Sequence, residues 1–503
     1  MGLAILKSRA QLGTDAPPVT IEVFLSGGLP VFSVVGMAET AVRESKDRVR
    51  SAIISSGFDF PQGRITVNLG PADMRKTGGR FDLAIALGIL AASNLIPVVA
   101  LEDIEFFGEL ALNGDLRSVP GVLPAALKAC EAGKNIFVPA ANGIEAALTT
   151  TEVRVATTLL EVTAHLNGTK PIEPLAHDAP DITAAAYADL SDVKGQQQAK
   201  RALEISAAGG HNLLYIGPPG TGKSMLARRL PGILPRMTEK EALATAAIDS
   251  VLGRLLDLSR WRQRPFRSPH HTASAPALVG GGSGPRPGEV SRAHNGVLFL
   301  DELPEFNRSV LEVLREPMEA GMITISRAGH QADFAANFQL VAAMNPCPCG
   351  YLGDPLGDCR CSADRVASYR ARISGPLLDR IDLHVMVGRP SKEVLRAGSP
   401  QAEPSADVAM RVQKARTMQL RRSAVCNARL EGAALTENCQ TTDAGWTLLE
   451  NATDRFSLSA RAYHRVLRVS RTIADLADEQ TIASLHIAEA LALRQLDRRK
   501  TQM

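Results

Sequence analysis

The stretch Leu213-Leu-Tyr-Ile216, then Gly217-Pro218-Pro219-Gly220-Thr221-Gly222-Lys223-Ser224, then Met225-Leu-Ala-Arg-Arg-Leu230 decides the fold class. It reads as an apolar strand, a loop of the form G-x-x-x-x-G-K-[ST] and the start of a helix, the context in which this spacing cradles phosphate. Small residues let backbone N–H groups wrap around phosphate oxygens, the lysine reaches the β and γ oxygens, and the serine hydroxyl joins a magnesium shell. The alternative is a Gly/Pro turn with a solvent-facing lysine, and the complete motif in its strand–helix context outweighs it. ATP and Mg2+ are the expected ligands, held by Gly217 to Ser224.

Further along, the apolar run Val297-Leu-Phe-Leu300 ends in Asp301-Glu302. This puts one carboxylate beside the magnesium and the next where it polarises an attacking water, so Asp301 is the expected magnesium partner, with Ser224, and Glu302 the expected base. Paired acids are common on solvated strand edges, and it is the phosphate loop upstream that favours the catalytic reading. Strand candidates at Asn212–Ile216, Val297–Leu300, Gln339–Ala343 and Leu383–Val387 alternate with helical segments, implying parallel strands joined by helices.

The chain has 503 residues, of which 45% are hydrophobic, more than one core usually holds. Residues 1–166 mix β-rich runs (Thr20–Leu25, Arg64–Leu69) with helical ones (Glu39–Ser56, Leu83–Ala92) and predict an α+β domain. Closely spaced Pro171, Pro174 and Pro180 in a polar stretch mark a linker over 167–188. The phosphate-loop domain is expected over 189–390, with a Cys-rich insert at 346–362. Residues 391–503 read as arginine-rich helices forming a lid, for example Ala460–Leu476 and Ile482–Leu496. A net charge of +3 does not by itself select a nucleic-acid partner. The opening MGLAILKSRA has no long apolar core or cleavage site, and the apolar run Phe81–Leu101 is broken by Asp82, Asn94 and Pro97. A cytoplasmic protein with no membrane span is expected.

Gly195-Gln196 before the loop, the run RSPHHTASAPALVGGG from Arg267, HNGVLFLDELPEF from His294 and SGPLLDRID from Ser374 occur together. In these the chain resembles the magnesium-chelatase-like AAA+ family of competence protein ComM and YifB, over nearly its whole length. The resemblance implies a P-loop AAA+ α/β core with a C-terminal helical lid, and adds Gln196 to the nucleotide-binding set. It implies that Asn345, after the strand QLVAAM, is the sensor 1 residue. It further implies that Arg380 is an arginine finger reaching a neighbouring subunit's ATP, and that Arg461 is the sensor 2 residue, acting in cis or in trans. Read from the residues alone, Asn345 is equally a turn former, Arg380 a surface ion-pair partner and Arg461 a helix-surface cation. A finger acting in trans needs a closed head-to-tail ring, and a hexamer is what the family implies.

Gly280–Gly288 is glycine-rich where the family carries an insert. Ile323–Asp333 alternates around Gly329 as a hairpin, with Arg327 and His330 near its tip. In helicase relatives such hairpins touch nucleic acid in the ring channel, which makes Arg327 and His330 DNA-contact candidates; alternatively, the hairpin packs on its own domain. Four of seven cysteines cluster as Cys347-Pro-Cys349 and Cys359-Arg-Cys361, fitting a structural Zn2+ site, although C-x-C is tighter than the usual knuckle and free thiols or a redox pair remain open.

The segments ITVNLGPADMRKTGGRFDLAIALGIL and FFGELALNGDLRSVPGVLPAAL resemble the proteolytic domain of Lon, a ribosomal S5 domain 2-like fold. Arg80 stands where the nucleophilic serine is expected and Ala125 near the partner lysine, so the Ser-Lys dyad is missing and a binding or assembly role is expected instead. For the whole chain the resemblance implies an ATPase driving branch migration on single-stranded and branched DNA, a helicase acting in homologous recombination during natural transformation. The alternative is a chelatase-like or protein-remodelling motor acting on a protein partner. The basic run Arg411, Lys414, Arg416, Arg421 and Arg422 suits phosphate contact or a solvated helix face, and with aromatics at 4% no stacking platform is readable.

Overall fold

The computed structural model describes residues 2–36, 39, 42, 44–176, 187–282, 285–327, 330–355, 357–390 and 402–496; the side chains of Arg327 and His330 lie outside that description. Residues 177–186 of the expected linker and residues 391–401 also lie outside it. The chain forms two compact units. One comprises Met1–Ile182, Ala242–Trp261 and Ser326–Phe334; the other comprises Thr183–Glu241, Arg262–Ile325 and Ala335–Met503.

The first unit is built on a seven-stranded mixed sheet. Its strands are β1 (Gly2–Arg9), β2 (Pro18–Ser26), β3 (Val31–Val35), β4 (Arg64–Gly70), β5 (Ile104–Phe106), β6 (Asn135–Pro139) and β7 (Val153–Ala156), in the order β3-β4-β2-β1-β5-β6-β7. Strict alternation sets which face is covered. Ala4 and Leu6 of β1 and Val19, Ile21 and Val23 of β2 are buried, while Leu3 and Ile5 point outward. Helix α1 (Ser45–Ser55) is shorter than the expected Glu39–Ser56. Helix α2 (Asp82–Ala92) is buried at every position, as the apolar run from Leu83 to Ala92 predicts. Gly88 lets α2 lie on the sheet: a Cβ there would come within 2.5 Å of Val23 Cγ2 and 3.0 Å of Leu6 Cδ1. Each of Leu83, Ile85, Leu87 and Ile89 contributes about 2 kcal/mol by leaving water. Helix α3 (Val122–Glu131) follows the loop at Pro120.

Residues Ala242–Trp261, inside the span expected for the second domain, group with the first unit. Helix α4 (Glu239–Val251) explains this: its Ala246 and Ala247 pack with Leu123 and Leu148, and Ser250 accepts the Gly121 N–H at its carbonyl, 2.8 Å, and the Leu123 N–H at its hydroxyl, 3.2 Å.

The second unit carries an all-parallel five-stranded sheet. Its strands are β8 (Leu213–Ile216), β9 (Phe266–Arg267), β10 (Val297–Leu300), β11 (Gln339–Met344) and β12 (Leu383–Met386), in the order β9-β10-β11-β8-β12. The expected parallel strands are therefore present, with boundaries within one residue. All four residues of β8 and of β10 are buried, as both-face coverage of a parallel sheet requires. Helices α5 (Gln197–Gly209), α6 (Ser405–Ser423), α7 (Asp443–Phe456), α8 (Ala460–Leu476) and α9 (Ser484–Ala492) share one apolar core with it: Val412, Val466, Val469 and Ile473 join Leu213, Tyr215, Phe299 and Val385. Thr442 and Ser459 cap α7 and α8 through their hydroxyls. No described helix is long and apolar enough to cross a membrane.

The basic run on α6 is largely engaged within the fold. Arg411 pairs with Glu204 and Glu403, Lys414 with Asp478 and Arg422 with Asp475, while Arg416 donates to the carbonyls of Ala207 and Ala208. Four of its five cations answer neighbouring acids or the C-terminal carbonyls of a helix.

Candidate functional site

The phosphate loop leaves the C-terminal end of β8 and enters the short helix at Lys223–Ala227. Gly217 is required by packing, because a Cβ there would collide with the Val387 carbonyl oxygen next to β12. Gly222 is required by conformation: at φ +89 it turns the chain into the helix. Around Gly220 and Gly222 a Cβ would meet nothing within 4 Å, so the loop's backbone is open to a ligand. Thr221 Oγ1 closes the loop on the Pro218 carbonyl at 2.9 Å. Gln196, in a left-handed conformation, braces it by donating to the carbonyls of Gly388 at 2.6 Å and Thr221 at 3.3 Å.

Lys223 is buried and folds back on its own loop, donating to the carbonyls of Gly217 (2.7 Å) and Pro218 (2.8 Å) and to Asn345 Oδ1 (3.2 Å). Burial lowers its pKa, and the nearby Asp301 and Glu302 carboxylates work against that. Ser224 Oγ donates to Asp301 Oδ2 at 2.6 Å, bringing a hydroxyl and a carboxylate oxygen side by side. These hard oxygen donors are the kind Mg2+ takes, and an exposed glycine backbone with a buried cation is what a polyphosphate requires. Both groups therefore fit the residues present. Lys223, Ser224, Asp301 and Asn345, separated by up to 122 positions in sequence, converge on one place.

Glu302 sits at φ +53, an uncommon conformation for a side chain larger than glycine, and its N–H donates to Asp301 Oδ1 at 3.0 Å. Its carboxylate faces His271, with Oε2 at 3.2 Å from Nδ1. His271 also stacks near His270 and meets Phe306 edge-on. Sequence reasoning did not single out His271 as a site residue. The available signal was the His-His pair in RSPHHTASAP shortly after β9, beside the acid-bearing strand.

Arg380 and Arg461 are brought together elsewhere. Both line a polar cleft of about 440 Å³ with Asn212, Asp382, Arg465 and Arg468. Arg380 donates to the Pro376 carbonyl at 2.7 Å and pairs with Glu319, and its own carbonyl accepts from Asn212 Nδ2 at 3.0 Å. Asp382 is buried; burial alone would raise its pKa, but Arg465, His211 and the Asn212 N–H overcome that and hold it below the usual carboxylate range. The cleft opens at Asn212, before β8, and the phosphate loop begins at Gly217, after it. Four extended residues put about 13 Å of strand between the two ends. Arg380 and Arg461 thus stand toward the opposite end of the parallel strands from Lys223 in the same chain.

The four clustered cysteines converge too. Cys347 Sγ lies 3.4 Å from Cys349 Sγ and 3.7 Å from Cys359 Sγ, Cys349 and Cys359 are 3.6 Å apart, and all four sulfurs lie within 4.8 Å of one another. In the insert at 280–288, Gly280–Gly281 pairs antiparallel with Arg286–Pro287, and residues 283–284 lie outside the described ones. The expected hairpin forms from Met322–Arg327 and His330–Ala335, but the side chains of its DNA-contact candidates, Arg327 and His330, lie outside the description.

In the first unit, Arg80 is 3% exposed and donates to the carbonyls of Arg9 and Pro120 and to Gln11 Oε1. Burial pushes its pKa down to about 10. Ala125 is fully buried on α3. Neither position carries a hydroxyl or amine.

Three family models match the chain: "Magnesium chelatase, subunit ChlI" over residues 189–395, "Subunit ChlI of Mg-chelatase" over 21–142 and "Magnesium chelatase, subunit ChlI C-terminal" over 402–494. Competence protein ComM of Haemophilus influenzae is 50% identical over 504 residues, covering 99% of this chain and 98% of that protein. The protein YifB of Escherichia coli is 48% identical over 503 residues, with the same coverage. DNA replication licensing factor Mcm2 of Drosophila melanogaster is 27% identical over 231 residues, 43% of this chain and 22% of its own.

Proposed function

The chain belongs to the magnesium-chelatase-like family of ComM and YifB, and on that premise we propose that it is a hexameric AAA+ ATPase driving branch migration of DNA recombination intermediates. The observation that carries the ring is the division of the expected catalytic residues between opposite ends of the parallel strands of one sheet. Lys223, Asn345, Ser224 and Asp301 gather at one end of β8, Arg380 and Arg461 at the other. An arginine so far from its own phosphate loop acts on the loop of the next subunit, and repetition of that head-to-tail contact closes a ring. DNA as the substrate, natural transformation as the setting and the cytoplasm as the location rest on the full-length likeness to a competence protein. The α+β first unit is a Lon-protease-like domain without its dyad, and the C-terminal helices form the lid.

In this reading the loop amides and Lys223 bind the β and γ phosphates, exchanging the carbonyl partners of Lys223 for phosphate oxygens. Ser224 and Asp301 hold Mg2+, which when bound neutralises developing charge on the phosphates. Glu302 accepts a proton from the attacking water once its carboxylate is released from His271, and Asn345 orients that water. Arg380 and Arg461 of the preceding subunit stabilise charge on the transferred phosphoryl group. Arg327 and His330 contact DNA, and Cys347, Cys349, Cys359 and Cys361 hold a structural Zn2+.

The test is ATP-dependent branch migration on labelled three- and four-way junctions, wild type beside Glu302→Gln. Mixing two inactive variants, Lys223→Ala and Arg380→Ala, is expected to restore ATP hydrolysis, because some interfaces then pair an intact loop with an intact finger. No recovery on mixing would sink the shared site. Hydrolysis without junction movement would transfer the motor to a chelatase-like or protein-remodelling role on a protein partner.

A further inference from the structure

The thiol cluster lies against the nucleotide site. Cys347 follows Asn345 by two residues, and the turn it begins returns to the phosphate loop at Gly350. Gly350 has φ +88, and a Cβ there would come within 2.7 Å of Pro219 Cδ and 3.8 Å of Asn345 Cγ. The backbone of the cysteine turn therefore rests directly on Pro219 of the loop, close to the Asn345 side chain. The far end of the insert returns to the same place. Helix α10 (Ala363–Arg370) begins two residues after Cys361; Arg370 Nη2 donates to the Pro346 carbonyl at 3.2 Å, and Tyr369 is hydrogen-bonded to the Asn345 backbone. Between the two pairs, buried Asp354 binds Arg389 at 2.8 Å, next to Gly388, whose carbonyl takes the Gln196 amide. The insert is thus tied to the phosphate loop, to Asn345 and to the brace at Gln196.

The sulfurs have the geometry of a tetrahedral thiolate set. Zn–S bonds of about 2.3 Å place the corners of a tetrahedron about 3.8 Å apart, whereas a disulfide would need about 2.05 Å. The observed 3.4, 3.7 and 3.6 Å match the former. Cys347 Sγ also accepts the Leu352 N–H at 3.3 Å, a backbone donor to sulfur that steadies a ligating thiolate.

We infer that the metal held by these four thiolates is a positioning device for catalysis: closing the Cys347–Cys361 loop around Zn2+ fixes Gly350 against Pro219 and sets Asn345. The inference rests on the zinc reading above and goes beyond it, because a zinc that only stabilised the insert would leave hydrolysis unchanged when removed. Cys349 is exposed, so a chelator can reach the site in the full-length protein.

The experiment measures metal content and ATP hydrolysis together on the full chain, as purified, after chelation, and after re-addition of Zn2+. One Zn2+ per chain is expected, with Co2+ replacement giving the absorption of a tetrahedral thiolate site. Stripping is expected to lower kcat about tenfold or more, reversibly, with a smaller change in KM for ATP. Gly350→Ala, which leaves all four thiols in place, is expected to keep its zinc and still lose kcat to a similar degree. Full activity in zinc-free protein, or in zinc-loaded Gly350→Ala, would overturn the coupling while leaving the zinc reading intact. Failure to bind Zn2+ or Co2+ at all would overturn the zinc reading itself. If stripping unfolds the chain, Gly350→Ala alone decides.

Discussion

Two glycine-containing loops in this molecule follow the same local recipe and end differently. Lys76-Thr77-Gly78-Gly79-Arg80-Phe81 leads into α2, and Gly217–Gly222 leads into the helix at Lys223; each delivers a buried cation beside the start of a helix. In the first, the space a substrate would need is filled. A Cβ on Gly79 would run into the Glu109 side chain, and Arg80 takes up the carbonyls of Arg9 and Pro120. In the second, Gly220 and Gly222 face open space and Lys223, among the described residues, donates to carbonyls of its own loop and to Asn345. A loop becomes a site when its cation can exchange partners for an incoming anion, and a strut when it cannot.

The contrast predicts opposite phenotypes. Lys223→Ala is expected to lower ATP hydrolysis by about 10²–10³-fold with little change in melting temperature; phosphate release measured near wild-type levels would remove Lys223 from the site. Arg80→Ala is expected to do the reverse. It leaves a cavity and orphaned carbonyls in a closed core, a loss of about 3 kcal/mol by denaturant titration, with hydrolysis per folded molecule retained. A stable Arg80→Ala protein that had lost activity would make the first loop a site after all.

A smaller effect separates two histidines in the same way. His271 is partly exposed on Glu302, whereas His294 is buried, accepts the Asn337 N–H at Nδ1, 3.1 Å away, and is held neutral by burial with its pKa lowered to about 4. Unfolded, its pKa returns to about 6.5, so between those values the unfolded chain binds the extra proton and stability falls as pH falls. A loss of about 2 kcal/mol from pH 7 to pH 5 is expected, fully present as stability above pH 6.5, and flattened in His294→Asn. An unchanged slope in that variant would assign the pH dependence to another group.

Strand positions in the second unit were legible because a parallel sheet buries both faces, leaving short apolar runs such as Val297–Leu300 that no surface segment imitates. The uniformly apolar α2 was legible for the same reason. Less legible was Ala242–Trp261, whose place in the first unit depends on Ala246 and Ala247 meeting Leu123 and Leu148, far away in the sequence. The basic run on α6 is a related case. Periodicity shows that cations share a helix but not that Glu204, Asp475 and Asp478 wait opposite them.

What the sequence determined by itself are the features written in local spacing: the phosphate loop, the acid pair closing its strand and the two C-x-C pairs. Their chemistry follows from residues a few bonds apart, whose relative positions backbone geometry already constrains. Only the tertiary structure decided which of the remaining charges are free to act. It placed His271 on Glu302, closed Arg80 inside a core, set the cysteine turn against Pro219 and put Arg380 and Arg461 toward the far end of the strands from Lys223. Those are distances between residues far apart in the chain, and they are fixed by packing, to which no local pattern is sensitive.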